Sequence, residues 1–171
     1  MAETFAEYVT RLTGYLGDKD PMQVLRATPR ELARLMSLPE DPRALEVSPA
    51  GGKWSVRQIL AHMSEAELVV SYRLRKIASK NGATVEGYDQ DRWAATSRYD
   101  SIAAEDSLEL FSALRYANLR FLERLPAQAW ENYGLHTERG QETIRQMSRL
   151  TAGHDLNHTM QISALVGTGP S

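Results

Sequence analysis

The chain has 171 residues, 42% of them hydrophobic and 25% charged, and a formal net charge of -2. That balance suits a soluble globular protein able to bury a core. It argues against a nucleic-acid-binding surface, which needs concentrated positive charge, because no basic run exceeds Arg73-Leu74-Arg75-Lys76. Cysteine is absent, which excludes disulfides, zinc fingers, iron–sulfur clusters and a protein thiol nucleophile, so any metal must be held by His, Asp or Glu.

No apolar run approaches the length of a membrane span, and the N-terminus lacks the basic-then-apolar pattern of a secretory leader. The expectation is a cytoplasmic protein with one domain over residues 1–171. Phe5, Tyr8, Val9, Leu12 and Leu16 recur at helical spacing, predicting a first helix over residues 3–16 that Gly17 ends. Asp20-Pro21 starts a short helix through Leu25, and Thr28-Pro29-Arg30-Glu31 starts another. Pro39, Pro42, Pro49, Gly51 and Gly52 make residues 38–53 a loop within the domain.

Ser55 with Gln58 fits a capping box that opens a second long helix. Its apolar face runs from Ile59 to Ile77, contains His62, and stops at Asn81-Gly82. Residues 83–104 are mixed, with Tyr88 to Trp93 as a turn or short helix over the bundle end. A third long helix buries Leu108, Phe111, Leu114, Ala117, Phe121, Leu122 and Leu125 up to Pro126. Trp130 to Gly140 is expected to be a loop. A fourth long helix runs from Gln141 to about Val166, after which Gly169-Pro170-Ser171 trails off. No segment shows strand alternation. The expected fold is an all-α four-helix bundle with short additional helices and long crossover connections.

The chemistry concentrates in few residues. His154 and His158 stand four apart on the inner face of the last helix, so both rings reach one point. His62 faces inward from another helix. Three imidazoles with an open position form a Lewis-acid site, and facing helices of bundles build such sites. Against this, a helical histidine pair often arises by chance, and a single inward histidine is commonly a hydrogen-bonded core residue. Asp155 and Asn157 point to other sides of the helix. Glu65 and Gln161 could orient a ligand or simply be solvated. Arg73 could pair with an acidic group in residues 86–91. His136 reads first as a surface residue, and second as an acid–base or substrate contact at the bundle mouth. No phosphate loop, nucleophile elbow or paired-carboxylate motif stands out.

Five stretches carry a resemblance. They are Trp54-Ser55-Val56-Arg57-Gln58-Ile59-Leu60-Ala61-His62-Met63-Ser64-Glu65-Ala66-Glu67, then Arg73, Asp89-Gln90-Asp91-Arg92-Trp93, Phe111-Ser112-Ala113-Leu114-Arg115, and His154-Asp155-Leu156-Asn157-His158. In this order they resemble the DinB-like, or DinB/YfiT-like metalloenzyme, family over almost the whole chain. The resemblance implies a four-helix bundle with a divalent ion (zinc, nickel, iron or manganese) on His62, His154 and His158. Relatives of this kind include thiol S-transferases that use low-molecular-weight thiols such as bacillithiol, mycothiol-dependent isomerases and metal-dependent hydrolases. The expectation is therefore a small metal-dependent enzyme acting on a small molecule by thiol S-transfer or hydrolysis, with a low-molecular-weight thiol as a second cofactor in the former case. The alternative is a non-catalytic, metal-stabilised bundle with a stress-related binding or assembly role. A homodimer is expected by analogy only.

Overall fold

The computed structural model describes residues 3–167; the expected trailing segment Gly169-Pro170-Ser171 lies outside them. Helix α1 spans Phe5–Leu16. Its capping box joins Thr4 and Glu7, and Gly17 leaves it at a φ of 53°. Helix α2 spans Pro21–Met36, one continuous helix where two short ones were expected from Pro29.

The reason lies in one carbonyl. Proline has no N–H, so the Leu25 carbonyl four residues before it loses its helical partner. The Arg115 guanidinium takes the place of that partner, donating from Nη1 to the Leu25 oxygen at 3.1 Å. The helix continues through its proline because a side chain from elsewhere satisfies the freed group.

Helix α3 spans Val56–Ser79 and opens with the expected Ser55–Gln58 capping box. A 3₁₀ turn, Pro42–Glu46, lies in the loop before it. A short strand β1, Ala83–Val85, follows, and then helix α4, Gln90–Thr96, capped by Asp89. Helix α5 spans Ala104–Glu123. After a 3₁₀ turn at Ala127–Glu131 come β2, Tyr133–His136, and β3, Gly140–Thr143. Helix α6 spans Ile144–Leu165 and starts three residues later than expected, because Thr143 and Gln146 form its capping box.

The three strands correct the expectation of none. They form a sheet in the order β1-β2-β3, with β1 and β2 parallel (Val85 opposite His136) and β2 and β3 antiparallel (Tyr133 opposite Thr143). Gly134 lies close over Ile77 of α3, where a Cβ would stand 2.9 Å from that side chain. The sheet thus closes one end of the bundle against α3.

The bundle is a ring of α2, α5, α3 and α6: α2 packs on α5, α5 on α3, α3 on α6, and α6 back on α2. Helix α1 lies outside this ring against α6. The second helix, not the first, is therefore a ring member, which differs from the count of long helices in the sequence. Helices α2 and α3 are diagonal, as are α5 and α6, so each of these two connections crosses an end of the bundle.

The apolar core falls into two main clusters, one around Leu35, Leu60, Met63 and Phe111 and one around Leu74, Ile77, Leu122 and Ile144. Between them sits a buried polar knot. Arg115 is 1% exposed; it donates from Nε and Nη2 to both Glu67 carboxylate oxygens at 2.9 and 2.8 Å and also pairs with Asp155. Asn118 adds a bond to Glu67 at 2.8 Å.

Candidate metal centre

Helix α3 delivers His62 and helix α6 delivers His154 and His158. His62 Nε2 lies 3.0 Å from His154 Nε2, and His158 Nε2 lies 3.1 Å from the same atom. One ligand atom from each ring lies within 4.8 Å of the others. The structure thus brings together all three histidines singled out in the sequence. His62 is 2% and His158 9% exposed, whereas His154 is half-buried and lines a cavity.

The ring atoms are held from behind. Gln161 Oε1 sits 2.9 Å from His158 Nδ1. A carbonyl oxygen only accepts, so Nδ1 carries the proton and the Nε2 lone pair faces the other two rings. Gln161 thus orients the imidazole. Trp54, at the start of α3, packs on His62 with ring centres 5.3 Å apart, and on Tyr99 at 5.9 Å. His62 Nδ1 is buried without a hydrogen-bond partner.

Burial favours the neutral form of all three rings. Burial, followed by the charge of His158, pushes His62 down to about 3. Burial brings His158 to about 4, although its bond to Gln161 opposes the shift. Burial holds His154 well below its ordinary value, with His158, His62 and Arg115 acting in the same direction. Neutral imidazoles converging through Nε2 are metal-ligating groups. Without a cation their lone pairs would oppose one another, since a single Nε2–H satisfies only one neighbour. The donor set therefore fits a divalent ion.

Other residues take roles the sequence left open. Glu65 accepts from the Tyr99 hydroxyl at 2.6 Å. Asp155 is buried in the Arg115 knot, and Asn157 accepts from Arg11 of α1 at 3.1 Å. Arg73 donates to the backbone carbonyl of Glu86, not to a carboxylate. His136 is 5% exposed, which corrects the surface reading; its Nδ1 accepts from the Glu138 N–H at 3.2 Å. It belongs to β2, at the bundle end that the sheet closes, where burial and then Arg139 and Arg73 of the cavity lining disfavour its protonation.

A cavity of about 340 Å³ opens beside His62 and His154, and Tyr8, Arg73, Tyr88 and Arg139 also line it. The sequence marks Arg73 and places Tyr88 over the bundle end. Tyr8 lies on the apolar face predicted for the first helix, and Arg139 sits in a hairpin whose strands are too short to show in the sequence. A second, open groove meets the cluster at His158 and Gln161.

A four-helix ring with a buried three-histidine cluster beside a cavity defines the class of architecture. The chain belongs to the DinB superfamily, whose model matches residues 24–162. It is 25% identical over 158 residues to a Bacillus mycoides protein named "Putative metal-dependent hydrolase BcerKBAB4_2443", covering 92% of this chain and 90% of that one. An Oceanobacillus iheyensis protein with the same description is 27% identical over 121 residues, covering 71% of this chain and 70% of that one. Among solved structures, YfiT from Bacillus subtilis, described as a probable metal-dependent hydrolase with an unusual four-helix bundle topology, superposes with a TM-score of 0.79. That match has 18% identity and covers 96% of this chain and 88% of the other. No helix among the described residues is long and apolar enough to cross a membrane.

Proposed function

We propose that this protein is a divalent-metal-dependent hydrolase of small molecules, with the ion held by His62, His154 and His158. The observation that carries this reading is the convergence of three neutral Nε2 atoms at the wall of a cavity. The names of its relatives agree with it. A divalent ion in such a set supplies Lewis acidity, lowering the pKa of a coordinated water or thiol toward neutrality.

The chain's own residues supply the rest. Gln161 fixes the His158 tautomer. Trp54 fills the space behind His62 and keeps water from it. Cavity-lining Ala66, Val69 and Phe111 provide an apolar floor for a substrate. Zinc, nickel, iron and manganese all suit three imidazoles, and availability chooses among them.

A second reading, thiol S-transfer with a low-molecular-weight thiol as co-substrate, is favoured by one observation. The carboxylates lining the cavity near the histidines, Glu67 and Asp155, are both bound to Arg115. Neither is free as a general base, and thiolate attack at a metal requires none.

Metal analysis of untagged protein tests the centre. One equivalent of ion is expected in the wild type and a loss of most of it in His158→Ala. Absence of metal after reconstitution with zinc, nickel, iron and manganese would sink the reading. Turnover of an ester and amide panel without added thiol identifies the hydrolase; turnover of electrophiles only with thiol present identifies the transferase.

A further inference from the structure

The cavity beside the histidines has a second polar end. Arg73 follows His62 by eleven positions on α3, close to three full turns. The two side chains leave nearly the same helix face, about 16 Å apart along the axis. Ala66, Val69 and Val70 line the cavity between them. This strip of α3 runs from imidazole, across an apolar stretch, to guanidinium.

Arg73 is 7% exposed. Its Nη2 donates to the Glu86 carbonyl, and among the described residues no carboxylate forms an ion pair with it. Arg139 reaches the same end from the turn between β2 and β3. Its Nη2 lies 3.0 Å from a Glu142 carboxylate oxygen, its guanidinium stands 5.1 Å from the Phe5 ring centre, and its Nε is buried without a partner. Tyr8, Tyr88 and the exposed Glu138 complete this end.

Glu142 pairs with Arg139, which leaves Arg73 as a buried cation with no ion pair of its own among the described residues. Such a charge is costly unless something pairs with it. A guanidinium presents a planar fork of donors that matches a carboxylate or a phosphate. Here Glu138 and Glu142 stand close by and would repel the second charge of a phosphate dianion. Arg73 and Arg139 against Glu142 leave one positive charge away from solvent, which suits one negative charge; Glu138 is exposed, and water screens it.

We propose that the cavity binds small monoanionic molecules, with a carboxylate on Arg73, an apolar body along Ala66, Val69 and Val70, and the far end delivered to His62 and His154. The reactivity of that far end rests on the metal-centre reading; the carboxylate site does not.

Calorimetry on the full chain, metal-free and zinc-loaded, tests this with hexanoate, hexanamide and hexyl phosphate. The expected result is saturable binding of hexanoate at one per chain, with hexanamide at least tenfold weaker and hexyl phosphate also weaker. Arg73→Gln should lower hexanoate affinity at least tenfold. Arg73→Lys, which keeps the charge but not the fork, should lower it by less, and it serves as the variant should Arg73→Gln not fold. Equal binding of hexanoate and hexanamide, or hexanoate affinity unchanged in the Arg73 variants, would overturn the proposal. Preference for hexyl phosphate would overturn the carboxylate assignment. Zinc content measured on the same samples separates the two readings. Hexanoate binding without zinc uptake removes the metal centre alone, and zinc uptake without hexanoate binding removes only the carboxylate site.

Discussion

At the scale of single residues, the proposed metal centre would depend on side chains that do not themselves ligate. Gln161 holds the His158 tautomer through one hydrogen bond. In Gln161→Leu zinc affinity should fall about 10- to 100-fold, as for lost outer partners of metal-bound histidines, while the fold persists; competition with a chromophoric chelator measures this. The histidines also set a pH response in the metal-free protein. Folded values near 3 for His62 and near 4 for His158 and His136 lie below the unfolded value of about 6.5. As pH falls below about 6.5 the unfolded chain takes up protons first. Stability should therefore be full above that pH and decline toward pH 4, by up to about 1.4 kcal/mol per pH unit for each histidine. Urea midpoints at pH 7.5, 6 and 5 would show it, and a flat profile would mean that the rings do not stay neutral. The histidine triad was legible in the sequence because a spacing of four states a shared helix face. The burial of His136 was not, because it follows from pairing β2 with β1, a strand 51 positions away in sequence.

At the scale of elements, close approach governs how α1 sits. A Cβ at Gly153 would stand 2.2 Å from the Leu12 backbone oxygen. Gly153→Ala must therefore push α1 away from α6, one residue from His154. Destabilisation of about 3 kcal/mol or more is expected, with a lower melting temperature and weaker metal binding. An unchanged melting temperature would show that the two helices can separate freely. The long helices α3 and α5, and most of α6, were readable from apolar periodicity and capping residues. The strands were not, because three or four residues are too few for alternation to register. Helix α2 was misread at Pro29 because the group that rescues it, Arg115, lies 90 positions from Leu25 in sequence. A tertiary donor of this kind leaves no local trace.

At the scale of the whole molecule, Arg115 of α5 bonds to α2 through Leu25, to α3 through Glu67 and to α6 through Asp155. Arg115→Met would leave two carboxylates buried side by side without a cation. A loss of about 3–5 kcal/mol is expected, measurable by chemical denaturation. Adding Glu67→Gln to that variant should recover part of the loss by removing one of the opposed charges.

The histidines are far apart in the chain: 92 positions separate His62 from His154, which are joined at 3.0 Å only in the assembled ring. An unfolded chain has no such pocket for an ion, so each increment of free metal above the dissociation constant adds to the free energy of folding. A bound ion would then add to the stability of the fold as well as complete the proposed site. A variant weakened at Arg115 or Gly153 should depend on metal to fold where the wild type does not, and cells short of the ion would lose that variant through proteolysis of its open form.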